Sequence, residues 1–190
     1  MSQFIRSYPI SGELCDSIKS WFDLDRVPKF PGKLYDPDLG KPVVDFRKRC
    51  SVTELQGSLL DRYFQELQRV LDLYIKDLPQ CAEYASFAVM EGVYIQWYKP
   101  GEGYDVWHTE RGSGQEPVSR RHLVFMTYLT DVTDDPDFEG GTEWLHQDHK
   151  IRCRRGQTVF WPADWTHAHR GIPHPTEHKY IATGWLSYED

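Results

Sequence analysis

The sequence predicts an α+β fold that is mainly β, an antiparallel sandwich or jelly roll with N-terminal helices packed on one sheet. Helical periodicity is confined to the first half of the 190 residues, whereas the second half consists of short β-branched and aromatic segments. No helical stretch separates those segments, and parallel strands need long crossovers that are usually helical. Short strands in series therefore favour antiparallel pairing.

The first predicted helix follows Ser11, a residue type that caps helices through its hydroxyl oxygen. Its apolar residues recur at helical intervals and would form one face: Leu14, Ile18, Trp21 and Phe22. Residues 24–48 are rich in Pro, Gly and Asp and are predicted as a loop.

A second, long amphipathic helix is predicted between Ser51 and Pro79. Ser51 and Glu54 have the spacing of a capping box, in which the two side chains satisfy the first free N–H groups of a helix. Apolar residues then recur at three-to-four-residue intervals: Leu55, Leu59, Val70, Leu71 and Tyr74. Pro79 ends the pattern because proline has no N–H for the helical ladder.

The second half of the chain is predicted to form strands that Gly, Pro and Asp separate at short intervals. The predicted strands are 92–98, 121–132, 141–145, 150–162 and 178–188. With the helices laid along one sheet, these strands would form a layered α+β domain.

Length and composition indicate one domain over residues 1–190, with 1–85 as a helical support region and 86–190 as the β core. Hydrophobic residues make up 39% and aromatic residues 14% of the chain, which is too apolar for a disordered protein. No apolar run approaches the ~20 residues of a membrane-spanning helix, and the N-terminal segment lacks a signal-peptide pattern. A cytoplasmic protein with no membrane partner is expected.

Charge and cysteine usage argue against several classes of protein. The net charge of −7 argues against nucleic-acid binding, which requires a basic surface. The four cysteines are scattered without a C-x-x-C pair, which argues against a zinc knuckle or a disulfide framework. Two clusters of basic residues are either solvated charged faces or a rim that attracts an acidic substrate. They are Arg111, Arg120 and Arg121, and Lys150, Arg152, Arg154 and Arg155.

The pair His108 and Glu110 is a candidate for metal binding. One residue separates them, so both side chains project to the same side of an extended segment. With one histidine from a later strand they would form a 2-His-1-carboxylate face, which binds Fe(II) and leaves adjacent positions open for a co-substrate and O₂. The H-x-E spacing is common and does not identify a metal site alone. Residues 166–180 contain four of the eight histidines and supply the candidates for the second imidazole.

Several motifs follow one another at characteristic spacings between residues 92 and 187. They are Tyr98, PGEG, His108-Thr109-Glu110, EGGTEW, RRGQTVFWP, His169 with Pro173, Lys179 and Trp185. Their joint spacing resembles the 2-oxoglutarate- and Fe(II)-dependent oxygenases, in particular the prolyl-4-hydroxylase-like branch. The resemblance implies a double-stranded β-helix (jelly roll) for the core, with Fe(II), 2-oxoglutarate and O₂ as cofactor and co-substrates and ascorbate as a further candidate.

The resemblance implies that His108, Glu110 and His169 are the catalytic Fe(II) ligands. The HRGIP segment and the ten-residue step from His169 to Lys179 match the register of the branch. His167 is the rival for the second imidazole because it lies two residues away, but choosing it would put the lysine out of step. His167 is therefore expected beside the ligands or at the rim of the site.

The other histidines are expected outside the site. His146 and His149 lie in a predicted hairpin turn, and surface exposure is expected for both. His174 and His178 are assigned to a polar turn, and His122 begins a strand in which its side chain would be satisfied within the sheet.

The resemblance also implies residues that bind 2-oxoglutarate. Lys179 would hold the distal carboxylate through a charge-assisted hydrogen bond. Lys179, Thr183 and Trp185 have the same parity, so they would face inward together on a regular strand. The alternative is that Lys179 lies at the strand mouth in solvent. Tyr98 and Tyr128 are candidate phenol donors to the same carboxylate, or packed core tyrosines.

Glu110 departs from the branch, which usually has Asp at this position. Glu is one methylene longer but remains an anionic oxygen donor. Halogenases of the superfamily lack the carboxylate, so its retention implies hydroxylation or a related oxidation. The implied reaction converts 2-oxoglutarate to succinate and CO₂ and hydroxylates a substrate C–H, with a prolyl residue in a peptide or protein as the expected substrate.

Other interpretations stay open at this point. The protein could hydroxylate free amino acids or small metabolites, it could be a cupin-like protein that binds Zn or Ni without oxygenase activity, or it could be a binding module without catalysis. The loop after Glu110, RGSGQEPVSRR, is a candidate lid or an ordinary turn, with Tyr104 and Trp107 at the pocket mouth. The oligomeric state is not predicted.

Overall fold

The computed structural model describes residues 4–36, 39, 41–112, 116–132 and 140–189. Within them, two α-helices lie in the first half of the chain, and the regular structure of the second half consists mainly of β-strands, as predicted. The helices are α1 Gly12–Asp23 and α2 Ser58–Asp77. The strands are β1 Arg6–Pro9, β2 Phe30–Pro31, β3 Lys33–Asp36, β4 Lys41–Val44, β5 Ser51–Glu54, β6 Phe87–Val89, β7 Tyr94–Tyr98, β8 Arg121–Tyr128, β9 Thr142–Trp144, β10 His149–Ile151, β11 Gln157–Pro162, β12 His169–Gly171 and β13 Lys179–Tyr188.

Helix α1 begins where the sequence predicts. The hydroxyl oxygen of its N-cap, Ser11, accepts a hydrogen bond from the backbone N–H of Leu14 at 3.3 Å. The buried face of α1 consists of Leu14, Cys15, Ile18 and Phe22. A local capping signal and helical periodicity therefore suffice to place this element.

Helix α2 begins later than predicted, and the predicted capping box is wrong. Ser51 and Glu54 are the ends of strand β5, which pairs with β7 and satisfies its backbone groups in that ladder. Gly57 separates β5 from α2 with a φ of +66°, a conformation that favours glycine. Within the described residues, neither helix combines the length and apolar character needed to cross a membrane.

The segment 24–48, predicted as a loop, contains the short strands β2, β3 and β4. Strands β3 and β4 pair with each other, and β2 pairs with β5. Residues 1–85 therefore contribute strands as well as the two helices, and β1 and β5 join strands of the second half. The helical description of this region is incomplete for that reason.

The strands form one large antiparallel sheet and one smaller sheet. The large sheet has the order β1-β11-β8-β13-β7-β5-β2, and β6 also pairs with β13. The smaller sheet has the order β10-β9-β12. The pairings are antiparallel in both sheets, which confirms the prediction from short strands in series.

Strand β8 separates two hydrophobic cores because alternate side chains face opposite sides of the sheet. Leu123 and Phe125 pack in the core that contains the buried faces of α1 and α2. Met126 and Tyr128 pack in the other core, together with Trp144 from the smaller sheet. The helices thus cover one face of the large sheet, as predicted, and the smaller sheet lies against the other face.

The segment 150–162, predicted as one strand, is two strands. Gly156 lies between β10 and β11 with a φ of +81°, and its N–H donates a hydrogen bond to the Tyr128 carbonyl at 2.8 Å. A side chain at Gly156 would also meet the Ile10 carbonyl oxygen, because an added Cβ would lie 2.8 Å from it. The sharp turn therefore requires glycine, and the strand pattern continues only beyond it.

Candidate metal centre

His108 and His169 lie opposite each other in an isolated antiparallel bridge between the loop after β7 and the start of β12. The backbone N–H of each residue donates to the carbonyl of the other at 3.0 Å. The two imidazole centroids are 4.3 Å apart. Two histidines 61 positions apart in the sequence are therefore held side by side by backbone hydrogen bonds.

The carboxylate of Glu110 completes the cluster. Its Oε1 lies 3.5 Å from Nε2 of His108 and 3.5 Å from Nε2 of His169. All three potential ligand atoms lie within 4.8 Å of one another, so a metal ion could be held by all three. Each side chain is largely buried.

The outer nitrogens of both imidazoles fix their orientation. Nδ1 of His108 lies 2.8 Å from the Val106 carbonyl oxygen, and Nδ1 of His169 lies 3.0 Å from the His167 carbonyl oxygen. A carbonyl accepts and cannot donate, so each Nδ1 carries the proton. The Nε2 atoms are left to face Glu110, which is the arrangement that metal-bound histidines adopt.

The protonation of the cluster suits a divalent cation. Burial opposes ionisation of Glu110, but the interactions with His108 and His169 outweigh burial and hold the pKa of this carboxyl well below its usual range. Burial, together with the neighbouring His169, lowers the pKa of His108. A metal ion would replace any proton shared between the Nε2 atoms and the carboxylate. Two imidazoles and one carboxylate are donors that fit Fe(II).

The cluster opens into a cavity of about 570 Å³. Every site residue proposed from the sequence lines this cavity: His108, Glu110, His169, Lys179, Tyr98, Tyr128, Thr183 and Trp185. Predicted residues from four strands and from the loop after β7 therefore share one cavity.

Lys179 lies inside the protein and not at a strand mouth in solvent, since it is 5% exposed. Its Nζ donates to the Ile172 carbonyl at 3.1 Å, and within the described residues no carboxylate lies within ion-pair distance of it. Burial lowers the pKa of Lys179 to about 8, so the ammonium form still predominates at neutral pH. A buried ammonium without a counter-charge is costly, and an anion in the cavity would offset that cost.

A comparison with protein families identifies the chain. Residues 93–187 match the model of the 2OG-Fe(II) oxygenase superfamily. The chain belongs to this superfamily. Membership implies Fe(II), 2-oxoglutarate and O₂ as cofactor and co-substrates.

A PKHD-type hydroxylase from Synechococcus sp. (strain CC9902) is 24% identical over 125 residues, and this match covers 64% of the chain and 53% of the hydroxylase. The chain therefore spans about half the length of that curated relative.

Solved structures share the fold over nearly the whole chain. A collagen prolyl hydroxylase of Paramecium bursaria Chlorella virus-1 has a TM-score of 0.68 at 16% identity, covering 100% of this chain and 98% of the viral one. A Pseudomonas putida prolyl-4-hydroxylase has a TM-score of 0.69 at 16% identity, with 100% and 95% covered. A Trichoplax adhaerens prolyl hydroxylase in complex with a hypoxia inducible factor peptide fragment has a TM-score of 0.73 at 13% identity, with 98% and 84% covered. These matches confirm the predicted jelly roll.

The two tyrosines predicted as phenol donors are both in the cavity of this superfamily member. The Tyr98 hydroxyl donates to Oε1 of Gln96 at 2.5 Å, and Tyr98 lies opposite Lys179 in the β7–β13 register. The Tyr128 hydroxyl donates to Oγ1 of Thr142 at 2.7 Å. Burial is the main cause that raises the pKa of both phenols, so both remain protonated donors.

Trp185 faces the cavity as the strand parity predicts, but its polar atom contacts the metal cluster. Its indole Nε1–H donates to Oε2 of Glu110 at 3.0 Å. Thr183, two residues earlier, donates its hydroxyl to the Phe125 carbonyl at 3.1 Å. The structure therefore places Trp185 beside Glu110, while Lys179 lies at the opposite end of β13.

Three further cavity residues contact the predicted site residues directly, and the sequence did not identify them as ligand-binding residues. Gln96 and Thr142 are buried and accept the hydrogen bonds of Tyr98 and Tyr128. Tyr104, expected at the mouth, stacks on the His108 imidazole with centroids 3.8 Å apart. The alternation of β7 offered a signal for Gln96, since it shares the parity of Tyr98.

The arginines of the first basic cluster are paired with carboxylates and do not form a free basic rim. The pairs are Arg111 with Asp164, Arg120 with Glu116 at 2.7 Å, and Arg121 with Glu91 at 2.6 Å. In the second cluster, Lys150 lies 3.4 Å from Glu143, and Arg155 pairs with Asp16. The candidate lid after Glu110 includes residues 113–115, which lie outside the described residues.

The remaining histidines do not line the cavity. His146 is exposed in the turn between β9 and β10, whereas His149 is half-buried. His174 is buried, and its Nδ1 accepts hydrogen bonds from the N–H groups of the turn that follows it. His122 has Nε2 within 2.8 Å of the Cys81 carbonyl, and His178 is exposed.

Proposed function

We propose that the protein is an Fe(II)- and 2-oxoglutarate-dependent dioxygenase that hydroxylates a C–H of its substrate. This proposal rests on one observation, which is that two different features line the same cavity. One is the converging cluster of His108, Glu110 and His169, and the other is the buried ammonium of Lys179, which has no carboxylate partner among the described residues. A metal site alone does not account for a buried lysine, whereas a metal site that also takes a dicarboxylic acid does.

In this proposal each residue has a defined task. When bound, Fe(II) with 2-oxoglutarate and O₂ supplies the oxidant that converts C–H to C–OH, with release of succinate and CO₂. His108, Glu110 and His169 hold the ion, and Lys179 pairs with the distal carboxylate of 2-oxoglutarate. Tyr98 and Tyr128, which line the same cavity as Thr183, would donate to that carboxylate in place of Gln96 and Thr142. Trp185 orients Glu110 through its indole N–H.

The apolar wall of the cavity has a task as well. Met126, Ile181 and Trp161 line it and exclude water from the space around the ligands. Exclusion of water strengthens the attraction between Lys179 and an anion, because the local dielectric constant is low. It also protects a reactive intermediate from side reactions.

A prolyl residue in a peptide or protein is the proposed substrate. The support is that the relatives sharing this fold over the whole chain are prolyl hydroxylases, one of which is seen with a peptide fragment. Free amino acids and small metabolites are the second class to test, since a cavity of about 570 Å³ accepts a single amino acid as readily as a side chain.

The experiment that tests the function measures 2-oxoglutarate turnover and substrate oxidation together. Purified protein is incubated with Fe(II), ascorbate and 2-oxoglutarate, and succinate is quantified with and without a panel of proline-containing peptides and free amino acids. Mass spectrometry then detects the gain of one oxygen atom by a panel member. We expect succinate release to rise with a true substrate and to match the hydroxylated product in amount.

The matched control is the His108→Ala protein, which loses one proposed ligand and should release no succinate. Metal binding without 2-oxoglutarate binding or succinate release, in the wild-type protein, would favour the cupin-like alternative over an oxygenase. Partner binding that survives in His108→Ala would favour a binding module.

Three accompanying features belong to the same proposal. Ascorbate is proposed to sustain turnover by keeping the iron ferrous, and omitting it should shorten the active phase. The cytoplasm is the proposed compartment, which suits the free thiols of Cys15, Cys50, Cys81 and Cys153. Residues 1–190 are proposed to act as one domain, in which 1–85 supports a β-helix core at 86–190, because β1 and β5 are strands of the large sheet.

A further inference from the structure

The two oxygens of the Glu110 carboxylate have different surroundings. Oε1 faces the Nε2 atoms of His108 and His169 at 3.5 Å each. Oε2 points away from the imidazoles, where it accepts the Trp185 indole N–H at 3.0 Å and lies 3.5 Å from Nη1 of Arg121. One oxygen is therefore available to a metal ion, and the other is held by the protein.

Arg121 is itself fixed from three directions. Its Nε and Nη2 donate to the two carboxylate oxygens of Glu91 at 2.7 and 2.6 Å, the bidentate geometry that restricts a guanidinium most strongly. Its guanidinium carbon lies 3.5 Å from the centroid of the Trp185 ring, and its Nη1 donates to the Glu110 carbonyl at 3.1 Å. The Arg121 and Glu91 side chains are only 12% and 14% exposed, so water competes little for these contacts.

The pairing of β8 with β13 brings this group together. Trp185 lies opposite Val124, but the register shifts between Leu186 and Ser187, so that Ser187 lies opposite Arg121. Such a bulge re-aims side chains at the end of a ladder. Here it places the Arg121 guanidinium over the Trp185 ring, with Glu110 beside both.

We propose that Trp185, Arg121 and Glu91 form a carboxylate clamp that restrains Oε2, so that Glu110 binds the metal through Oε1 alone. This rests on the proposed role of Glu110 as a metal ligand. A free glutamate has one more torsion than aspartate and can chelate a metal through both oxygens, which would occupy a position that 2-oxoglutarate and O₂ need. The clamp removes that freedom. It also fits the longer side chain, because the carboxylate must reach both the metal position and the Trp185 N–H.

Glu91 keeps the clamp electrically balanced. Arg121 forms its bidentate pair with Glu91 and touches Glu110 through a longer contact, so the negative charge of Glu110 is not neutralised before a metal binds. The three clamp residues are therefore positioning residues, which act through Glu110 and do not themselves bind the metal.

The test measures Co(II) binding by isothermal titration calorimetry in Trp185→Phe, Glu110→Asp and the double variant. Trp185→Phe removes the indole N–H but keeps a ring beneath Arg121, and we expect the Kd to rise about 10–100-fold, the usual cost of losing a partner behind a metal ligand. Glu110→Asp is too short to keep both contacts and should weaken binding similarly. The double variant should bind no more weakly than the weaker single variant, because the same contact is lost in both.

Trp97→Phe is the matched control, since it makes the same change at an indole whose N–H donates to His178 at 3.1 Å, outside the cavity. Its Co(II) Kd should equal the wild-type value. Glu91→Gln, which contacts Arg121 and not the ligand atoms, should raise the Kd by less than Trp185→Phe. The Co(II) absorption spectrum should change in Trp185→Phe as coordination by Glu110 changes, and apoprotein Tm values verify that each variant is folded.

A wild-type Co(II) Kd in Trp185→Phe, or losses that add in the double variant, would overturn the clamp. Failure of the proposed metal site is distinguishable, because His108→Ala would then also leave the Co(II) Kd unchanged, and failure of the oxygenase function would appear separately as absence of succinate release from the wild-type protein. If His108→Ala abolishes binding and Trp185→Phe does not alter it, the metal site stands and the clamp is wrong.

Discussion

Nδ1 of His169 donates a hydrogen bond to the backbone carbonyl oxygen of His167 at 3.0 Å. The two histidines therefore contribute differently to the site. The His169 imidazole faces the cavity, whereas His167 contributes the backbone carbonyl that orients this imidazole. Residues 165–167 form a 3₁₀-helix, so the alternation of a strand does not hold between the two positions. The His167 ring is buried near Phe4, away from the cavity.

This geometry predicts opposite outcomes for two alanine substitutions. His169→Ala removes a proposed ligand and should abolish Fe(II) or Mn(II) binding. His167→Ala retains the carbonyl that orients His169, so the Kd for metal should change less than about tenfold. Anaerobic titration calorimetry of both proteins measures this. Loss of metal binding in His167→Ala with retention in His169→Ala would reverse the assignment.

Lys179 predicts a pH dependence of 2-oxoglutarate binding. The pKa of Lys179 is lowered to about 8 by burial, against about 10.4 for an unfolded lysine. The proposed ion pair needs the ammonium form, so the Kd for 2-oxoglutarate should rise as the pH increases above 8. Lys179→Arg keeps a cation at every accessible pH and should bind with little dependence on pH over the same range. A pH-independent Kd in the wild-type protein would contradict this role.

The lowered pKa of Lys179 also affects the stability of the apoprotein. A rise in pH should weaken 2-oxoglutarate binding but stabilise the folded apoprotein. Between pH 8 and about 10.4 the unfolded chain binds a proton that the folded apoprotein does not, so the apoprotein should become more stable as the pH rises through this window. Lys179→Met removes the buried charge and should stabilise the apoprotein at pH 7 by about 1–3 kcal/mol while abolishing 2-oxoglutarate binding. Urea denaturation at several pH values, beside calorimetry, measures both effects. A less stable Lys179→Met apoprotein would show that burial of this ammonium is already compensated.

The sequence correctly predicted secondary-structure elements that depend on interactions between residues close together in the chain. Ser11 caps α1 because its hydroxyl oxygen and the Leu14 N–H that donates to it are only three residues apart. The pattern of Ser51 and Glu54 is equally local but misleading, because the pairing of β5 with β7 decides the structure of this segment and involves residues 40 to 46 positions away. Tertiary pairing of this kind overrides a capping signal that is worth only about 0.5–2 kcal/mol.

The sequence predicted which side chains face the cavity, but it did not predict the distances between them. Strand parity correctly turned Lys179 and Trp185 toward one cavity. Six residues of strand separate them by about 20 Å, which is longer than one small diacid, so parity could not decide which of them meets which group. Gln96 was missed because a polar residue on a strand normally faces water, and only its burial in the cavity wall makes it an internal acceptor for Tyr98.

A buried hydroxyl chain links α2 to the large sheet and predicts a measurable stability. The Tyr63 hydroxyl lies 2.8 Å from Oγ1 of Thr127, which lies 2.7 Å from Oγ1 of Thr158. Tyr63→Phe should lower the free energy of unfolding by about 1–2 kcal/mol, because a buried hydroxyl loses one partner. Tyr8→Phe is the control, since it removes a Tyr hydroxyl that bonds Asp77 at the surface and should cost less than about 0.5 kcal/mol. Equal losses in the two variants would show that burial of these hydroxyl groups adds nothing to the free energy of unfolding.

Gly184 predicts an overpacking effect in the middle of β13. A Cβ at this position would overlap the ring of Phe125, which is fully buried on the neighbouring strand β8 and faces the helices. Gly184→Ala should therefore lower the free energy of unfolding by about 1–3 kcal/mol, since the ring has no space into which to move.

A compensating substitution separates steric overlap from a change in the strand itself. Phe125→Leu leaves a space where the ring was and should be destabilising alone, as a large-to-small change in a core. Combined with Gly184→Ala, it should cost less than the sum of the two single changes, because the added methyl group then fills part of that space. Urea denaturation of the three proteins measures the cycle. Strict additivity would show that Gly184 is needed for its backbone and not for the room it leaves to Phe125.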